Sequence, residues 1–288
     1  FLSIKQINAW AFSADISAED SRYIYSDITS FSPTIKLLYV TPEKVSASTS
    51  FQEVLNKMYD RKNLARIVID EAHCVSTWGH DFRPDYKRMG EFKKRYPEVP
   101  CMALTATANP RVRADVINQL GISKCKWFLC SFNRPNLKYI VHQKTGPKTI
   151  TEIVATIKKH FKTASGIIYC LSRKECDTIA TKLQSMNITA KSYHAGMSDK
   201  EREKVQREWI TDKFQVVVAT IAFGMGIDKP DVRFVFHYTL PKSIEGYYQE
   251  SGRAGRDGQI ATCILYYNYG DKIRYMNMFD GEFDLNFE

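Results

Sequence analysis

Short apolar runs alternate with stretches of helical periodicity along most of this 288-residue chain, and that alternation constrains its fold more than any other feature. The runs lie at 35–40, 66–69, 99–104, 166–170, 190–193, 215–219, 233–237 and 262–267, too short for buried helices and most of them rich in β-formers. Helices are expected over 18–30, 51–59, 85–96, 149–161, 174–186, 199–209 and 244–251. Strands that alternate with helices predict an α/β fold built on a parallel, doubly wound sheet. The length suggests about two domains. Periodicity fades between 131 and 147, where Asn133-Arg134-Pro135-Asn136 and Gly146-Pro147 are turn signals. The junction is therefore expected near 142–148, giving domains 1–142 and 143–275. Residues 276–288 are expected to form a poorly ordered tail, since 280–288 carry four acids and no base.

One run ends abruptly in charge: Arg66-Ile67-Val68-Ile69-Asp70-Glu71-Ala72-His73. Ligands of α/β sheets sit at the carboxyl ends of strands, so Asp70 and Glu71 point to a cleft. An acid at such a place holds Mg²⁺ against nucleotide phosphates, and its neighbour can orient or deprotonate water. Asp70 is read as the metal residue and Glu71 as the water-activating one. The plainer reading is a pair of acids opening a helix.

Composition narrows the classes. A net charge of +9 suits a polyanionic partner, although the excess is spread over both halves and a solvated basic surface would look similar. No apolar run reaches the roughly 18 residues of a membrane span, and Phe1 onward shows no signal-peptide pattern. Seven cysteines with no C-x-x-C pair indicate neither a disulfide framework nor a zinc site. A reducing compartment follows, which makes the Asn187-Ile188-Thr189 sequon accidental.

Further polar signals follow later strands. Thr105-Ala106-Thr107 could bridge the acids to a neighbouring surface, while Asn109-Pro110 reads as a helix cap. Thr220 through Asp228 contains Gly224 and Gly226, which permit close backbone approach, with Thr220 and Asp228 as polar anchors. A simple glycine turn would look the same. Sharper is Gln249-Glu250-Ser251-Gly252-Arg253-Ala254-Gly255-Arg256. Two arginines three apart share one face of a helical turn, and arginine suits phosphate contact and transition-state charge.

Assembled, these segments resemble the RecQ family of superfamily 2 helicases, most closely its Bloom syndrome helicase subgroup. The segments that carry the resemblance are YVTPEK (39–44), ARIVIDEAHCVSTWGHDFRPDYKRM (65–89), MALTATANPRV (102–112), SFNRPNLKY (131–139), GIIYCLSRKECD (166–177), YHAGMSD (193–199), VVVATIAFGMGIDKPDVRFV (216–235) and GYYQESGRAGRDG (246–258). The resemblance implies two RecA-like lobes, the first incomplete, using ATP and Mg²⁺. It makes Asp70 and Glu71 the magnesium and water-activating acids and His73 their coupling residue. Trp78, His80, Phe82 and Arg83 fall in the family's aromatic-rich loop, where rings can stack on bases of any sequence. Thr105 and Thr107 match the motif linking the lobes. Ser172, Arg173, His194, Thr220 and Lys229 lie in segments that follow the DNA backbone. Gly226 and Asp228 fall on the nucleotide side, and Gln249, Arg253 and Arg256 in the final motif, with Arg256 the expected arginine finger.

A 3′-to-5′ motor on single-stranded and branched DNA, serving nuclear repair, recombination and replication, is likewise implied by the resemblance alone. A DEAD-box RNA helicase would show Asp at 73, S-A-T at 105–107 and a final motif opening His-Arg. The chain has His73, Thr105 and Gln249-Glu250.

No G-x-x-x-x-G-K-[ST] phosphate loop occurs in the sequence. By the resemblance it is expected to precede Phe1, and the family's zinc-binding cysteine cluster is absent too. The alternative is a non-hydrolysing DNA-binding fragment or degenerate relative, and the 288 residues alone are expected to be inactive.

Overall fold

The computed structural model describes residues 7–12, 16–77, 82–224 and 227–279. It divides into two compact units, Phe1–Phe128 and Leu129–Glu288.

In the first unit, β1 (Ala9–Phe12) pairs in parallel with β2 (Leu37–Val40), and β3 (Ile67–Ile69) pairs in parallel with β4 (Cys101–Ala103). Helices α1 (Ala18–Thr29), α2 (Pro42–Ala47), α3 (Thr49–Asp60), α4 (Pro84–Lys87), α5 (Met89–Arg95) and α6 (Pro110–Leu120) surround them. The predicted helix over 85–96 is broken at Arg88 into α4 and α5. The α6 cap follows the sequence: the Asn109 side chain accepts from Val112 N at 2.9 Å and Pro110 opens the helix. The core gathers Phe12, Ile24, Phe51, Leu55, Ile67, Ile69, Val112 and Leu120. Ile67 and Ile69 face it, while Val68 between them is 53% exposed, so this strand is buried on one face only.

The second unit is the fuller sheet. Its strands are β5 (Leu137–Gln143), β6 (Gly166–Tyr169), β7 (Ala190–Tyr193), β8 (Val216–Ala219), β9 (Phe234–His237) and β10 (Ala261–Tyr267). They run parallel in the order β5-β10-β9-β6-β8-β7. Helices α7 (Pro147–His160), α8 (Arg173–Ser185), α9 (Asp199–Ile210), α10 (Ile244–Ser251) and α11 (Tyr269–Phe279) complete it. Central strands β6, β8 and β9 are buried throughout, which a parallel sheet covered on both faces requires. Alternation sends Ile168, Val218 and Phe236 to one face beside Ile153 and Leu183, and Ile167, Val217 and Val235 to the other beside Trp209 and Phe223.

Two expected boundaries shift. The division falls after Phe128, not at 142–148, because β5 pairs along its whole length with β10 and so belongs to the second unit. β5 is an edge strand whose residues are mostly exposed, so it lacks the alternation that would have marked it. The expected tail from 276 begins inside α11, which continues to Phe279, and 280–288 lie outside the described residues. Among the described residues no helix is long and apolar enough to cross a membrane.

Candidate functional site

At the end of β3 the chain turns through Glu71, which is held at φ 50° and ψ 41°. This left-handed conformation is costly for a residue with a long side chain, and such residues concentrate at functional sites. The turn is fixed by backbone bonds across the two strand ends: Leu104 N donates to Ile69 O and Ala72 N to Leu104 O, both at 2.8 Å. That lacing sets Thr105, just past β4, beside the acids. His73, only 2% exposed, lies with Nδ1 3.0 Å from Thr105 Oγ1 and 3.3 Å from Glu71 Oε2. Opposite a carboxylate, Nδ1 is the nitrogen that carries the proton. Thr105 Oγ1 also meets the Thr107 backbone, 3.2 Å from its N. Glu71, His73, Thr105 and Thr107, expected at one site, are therefore brought together, and Thr107 Oγ1 is buried without a partner among the described residues.

Asp70 is exposed, and Oδ1 accepts from Glu71 N at 2.9 Å. Its second oxygen has no hydrogen-bond partner among the described residues, which fits an acid that shares Mg²⁺ with substrate phosphates and water. No larger metal-binding cluster occurs among the described residues. Tyr86 was not anticipated; burial pushes its hydroxyl above the ordinary value, and Cys74, Asp70 and Glu71 push the same way against Arg83. Arg83 N donates to Cys74 O at 3.0 Å, tying the end of the aromatic-rich loop to the turn that carries His73. Phe82 is 39% exposed. Trp78, His80 and Gly226 lie outside the described residues.

In the second unit Ser172 caps α8 reciprocally: Glu175 N donates to Ser172 Oγ and Ser172 N to Glu175 Oε2. Ser172, Arg173 and Thr220 line one open groove of about 680 Å³, together with Lys174, Ala195 and Ile221. Lys174 was not anticipated, though its place beside a helix N-terminus follows from the cap. His194 is 8% exposed; Nε2 lies 3.2 Å from Asp177 Oδ1, and Nδ1 has no partner among the described residues. Asp177 is held below the usual carboxylate range, by the Ser192 hydroxyl first and by His194 as well, against a smaller opposing effect of burial.

Lys229, expected along the DNA backbone, is 3% exposed and makes ion pairs with Asp212 at 2.7 Å and Asp231 at 3.1 Å, so its charge is held by those two acids. Burial opposes its charge, but those two acids raise its pKa above the ordinary value.

The arginine pair also departs from expectation. α10 ends at Ser251, and the turn after it takes Gly255 to φ 57°, so Arg253 and Arg256 lie on a turn and not on a continued helix, yet both side chains reach the loop after β8. Arg253 is 9% exposed and donates from Nη1 to Gly224 O at 2.6 Å. Arg256 is exposed and reaches Ile227 O at 2.9 Å and Asp228 Oδ1 at 3.4 Å. Gln249 is half-buried on α10. Beneath them lies an unanticipated buried pair, His237 Nε2 to Glu250 Oε2 at 2.8 Å, with the His237 ring stacked on Tyr169.

Comparison with known proteins identifies the family. A DEAD/DEAH box helicase family model matches residues 3–116, and a helicase conserved C-terminal domain model matches 147–258. The RecQ-like DNA helicase BLM of Xenopus laevis is 54% identical over 99% of this chain, and the ATP-dependent helicase SGS1 of Saccharomyces cerevisiae 49% identical over 93%. The chain belongs to the RecQ family. It spans 21% of the length of the first relative and 18% of the second. The Mycobacterium smegmatis helicase Lhr bound to ssDNA and AMP-PNP superimposes with a TM-score of 0.67 at 20% identity, over 95% of this chain and 37% of that one. That likeness supports the same RecA-like α/β fold for this RecQ chain.

Proposed function

We propose that this chain carries the core of a RecQ-type helicase that couples ATP hydrolysis to 3′-to-5′ movement on single-stranded DNA and to duplex unwinding. The observation that carries the reading is the Glu71–His73–Thr105 network beside the exposed Asp70. Asp70 is the residue that would hold Mg²⁺, which when bound with ATP neutralises phosphate charge. Glu71 orients the attacking water and takes its proton, with its carboxylate fixed against His73. His73 passes the state of Glu71 to Thr105 and Thr107. In the second unit Arg256 supplies positive charge to the phosphates, while Gln249 and Asp228 complete the nucleotide side.

DNA binding is assigned to the groove lined by Ser172, Arg173 and Thr220, with His194 held by Asp177 nearby, and to the loop holding Trp78, His80, Phe82 and Arg83. Backbone contact by the groove and stacking by the loop give affinity without sequence preference. Branched DNA, nuclear repair, recombination and replication follow from family membership and are part of the proposal. A second reading rests on the absence of a G-x-x-x-x-G-K-[ST] loop from the 288 residues: by themselves they bind DNA without turnover.

The test is ATP hydrolysis by the full-length protein, with and without single-stranded DNA, beside Glu71→Gln. The variant is expected to keep nucleotide binding and lose about 10²–10⁴-fold in turnover; normal turnover removes Glu71 from the mechanism. The same assay on the 288 residues alone separates the two readings. DNA-stimulated turnover there, abolished by Glu71→Gln, would mean that other residues supply the phosphate cradle.

A further inference from the structure

The segment Phe132-Asn133-Arg134-Pro135-Asn136 belongs to one of the stretches that carry the family resemblance, but its residues read in sequence as a turn between domains, with no role of their own. In the second unit it lies instead against the turn that carries the two arginines, more than a hundred residues later. Arg134 Nη2 donates to Ala254 O at 3.0 Å and Gly255 O at 2.9 Å, and Nη1 reaches Gly252 O at 3.5 Å. Asn136 Nδ2 donates to Gly255 O at 2.8 Å and Gln259 O at 2.9 Å. Upstream, Phe132 O accepts from the Tyr248 hydroxyl of α10 at 3.0 Å.

The chemistry of these contacts is informative. Among the described residues Arg134 pairs with no carboxylate; its acceptors are three main-chain carbonyls and the Asn136 amide oxygen. The carbonyls at and just beyond a helix C-terminus lack intrahelical donors and carry partial negative charge. The last turn of α10 contains no basic residue of its own, and Arg134, from another part of the chain, binds the carbonyls of the turn that follows it. The planar fork presents its donors from separate nitrogens in a fixed geometry, whereas a lysine offers all of its donors from one point. Asn136 comes so close that a Cβ on Gly255 would lie 2.5 Å from Nδ2, and φ there is +57°. The far side of the turn is fixed as well: Gly255 N donates to Val232 O, and the Asp257 carboxylate pairs with Arg233 at 2.6 Å. Arg256 thus sits between two tethered neighbours.

We propose that Arg134, assisted by Asn136, is a positioning residue for ATP hydrolysis: it fixes the turn from which Arg256 reaches the phosphates. This rests on the reading of Arg256 as the phosphate-facing cation. A displacement of about 1 Å at such a group costs on the order of 10²-fold in rate, so loosening the turn should be felt in chemistry before it is felt in binding.

Arg134→Lys and Asn136→Ala, made singly and each combined with Arg256→Ala, would be compared in the full-length protein at saturating single-stranded DNA. Arg134→Lys is expected to lower kcat roughly tenfold or more, with KM for ATP within about twofold. On the Arg256→Ala background it should cost nothing further, because the group it positions is gone. Unchanged kcat, or an equal loss on both backgrounds, overturns the proposal. If Arg256→Ala itself retains full kcat, the reading of Arg256 has failed, and the positioning claim is then decided without activity. Amide exchange of the 288-residue chain should quicken roughly tenfold at Gly255, Asp257 and Gly258 in Arg134→Lys, and unchanged exchange there overturns it.

Discussion

Glu71 pays for its role in backbone strain, and the cost can be measured by removing the carboxylate in two ways. Glu71→Ala and Glu71→Gly both lose the contact with His73, but only alanine keeps a Cβ at φ 50°. The left-handed region costs an L-residue about 1–2 kcal/mol, a penalty glycine does not carry. Denaturant unfolding should therefore show the glycine variant more stable than the alanine variant by about 1 kcal/mol. Equal stabilities would mean that the turn relaxes once the carboxylate is gone. At this scale the sequence was legible where chemistry and position coincide. Asp70 and Glu71 could be read because two acids end an apolar run. Lys229 could not, since its partners Asp212 and Asp231 are brought to it by the end of α9 and the loop before β9. A lysine in a basic chain looks the same whether it is solvated or buried. The Arg253 and Arg256 pair was legible in residue type but not in backbone: the glycines that suggested an open surface also replace the expected helical turn with a tighter one.

Elements were legible where their periodicity was strong. β6, β8 and β9 announce themselves as apolar runs because both faces are buried, whereas β5 and α11 sit at the margin of the sheet and show mixed patterns. α11 is held by charge. Arg274 pairs with Glu175 of α8 at 2.7 Å, and Asp271 pairs with Lys144 at 3.2 Å. Burial pushes the Glu175 carboxyl up, but the Arg274 guanidinium and the Ser172 N–H outweigh it and leave the pKa below the ordinary value of 4.5. A carboxyl depressed on folding stabilises the folded state above its unfolded pKa, and that contribution is lost as pH falls through the folded value. Thermal midpoints of wild type and Glu175→Gln should therefore differ most at neutral pH and converge as the pH falls below the ordinary value of 4.5. Parallel curves across that range would show that the pair contributes no pH-dependent stability.

At the scale of the whole molecule, the two units differ in how completely their sheets are covered. Among the described residues the second has six parallel strands, with central members buried on both faces. The described residues of the first form two separate strand pairs, with Val68 and Met102 of β3 and β4 and Leu37 and Tyr39 of β2 exposed. Two paired strands are marginal unless packing supports them, and parallel pairs are slightly weaker per residue than antiparallel ones. Hydrogen bonds of β3 and β4 thus depend on one apolar layer, where those of β6 and β9 are shielded by two. Native-state amide exchange of the 288-residue chain should report this directly. Amides of β3 and β4 are expected to exchange at least roughly tenfold faster than those of β6, β8 and β9, and to do so at denaturant concentrations that leave the second unit protected. Equal protection in both sheets, lost together, would mean that the chain unfolds as one cooperative body and that the exposed strand faces of the first unit cost it nothing.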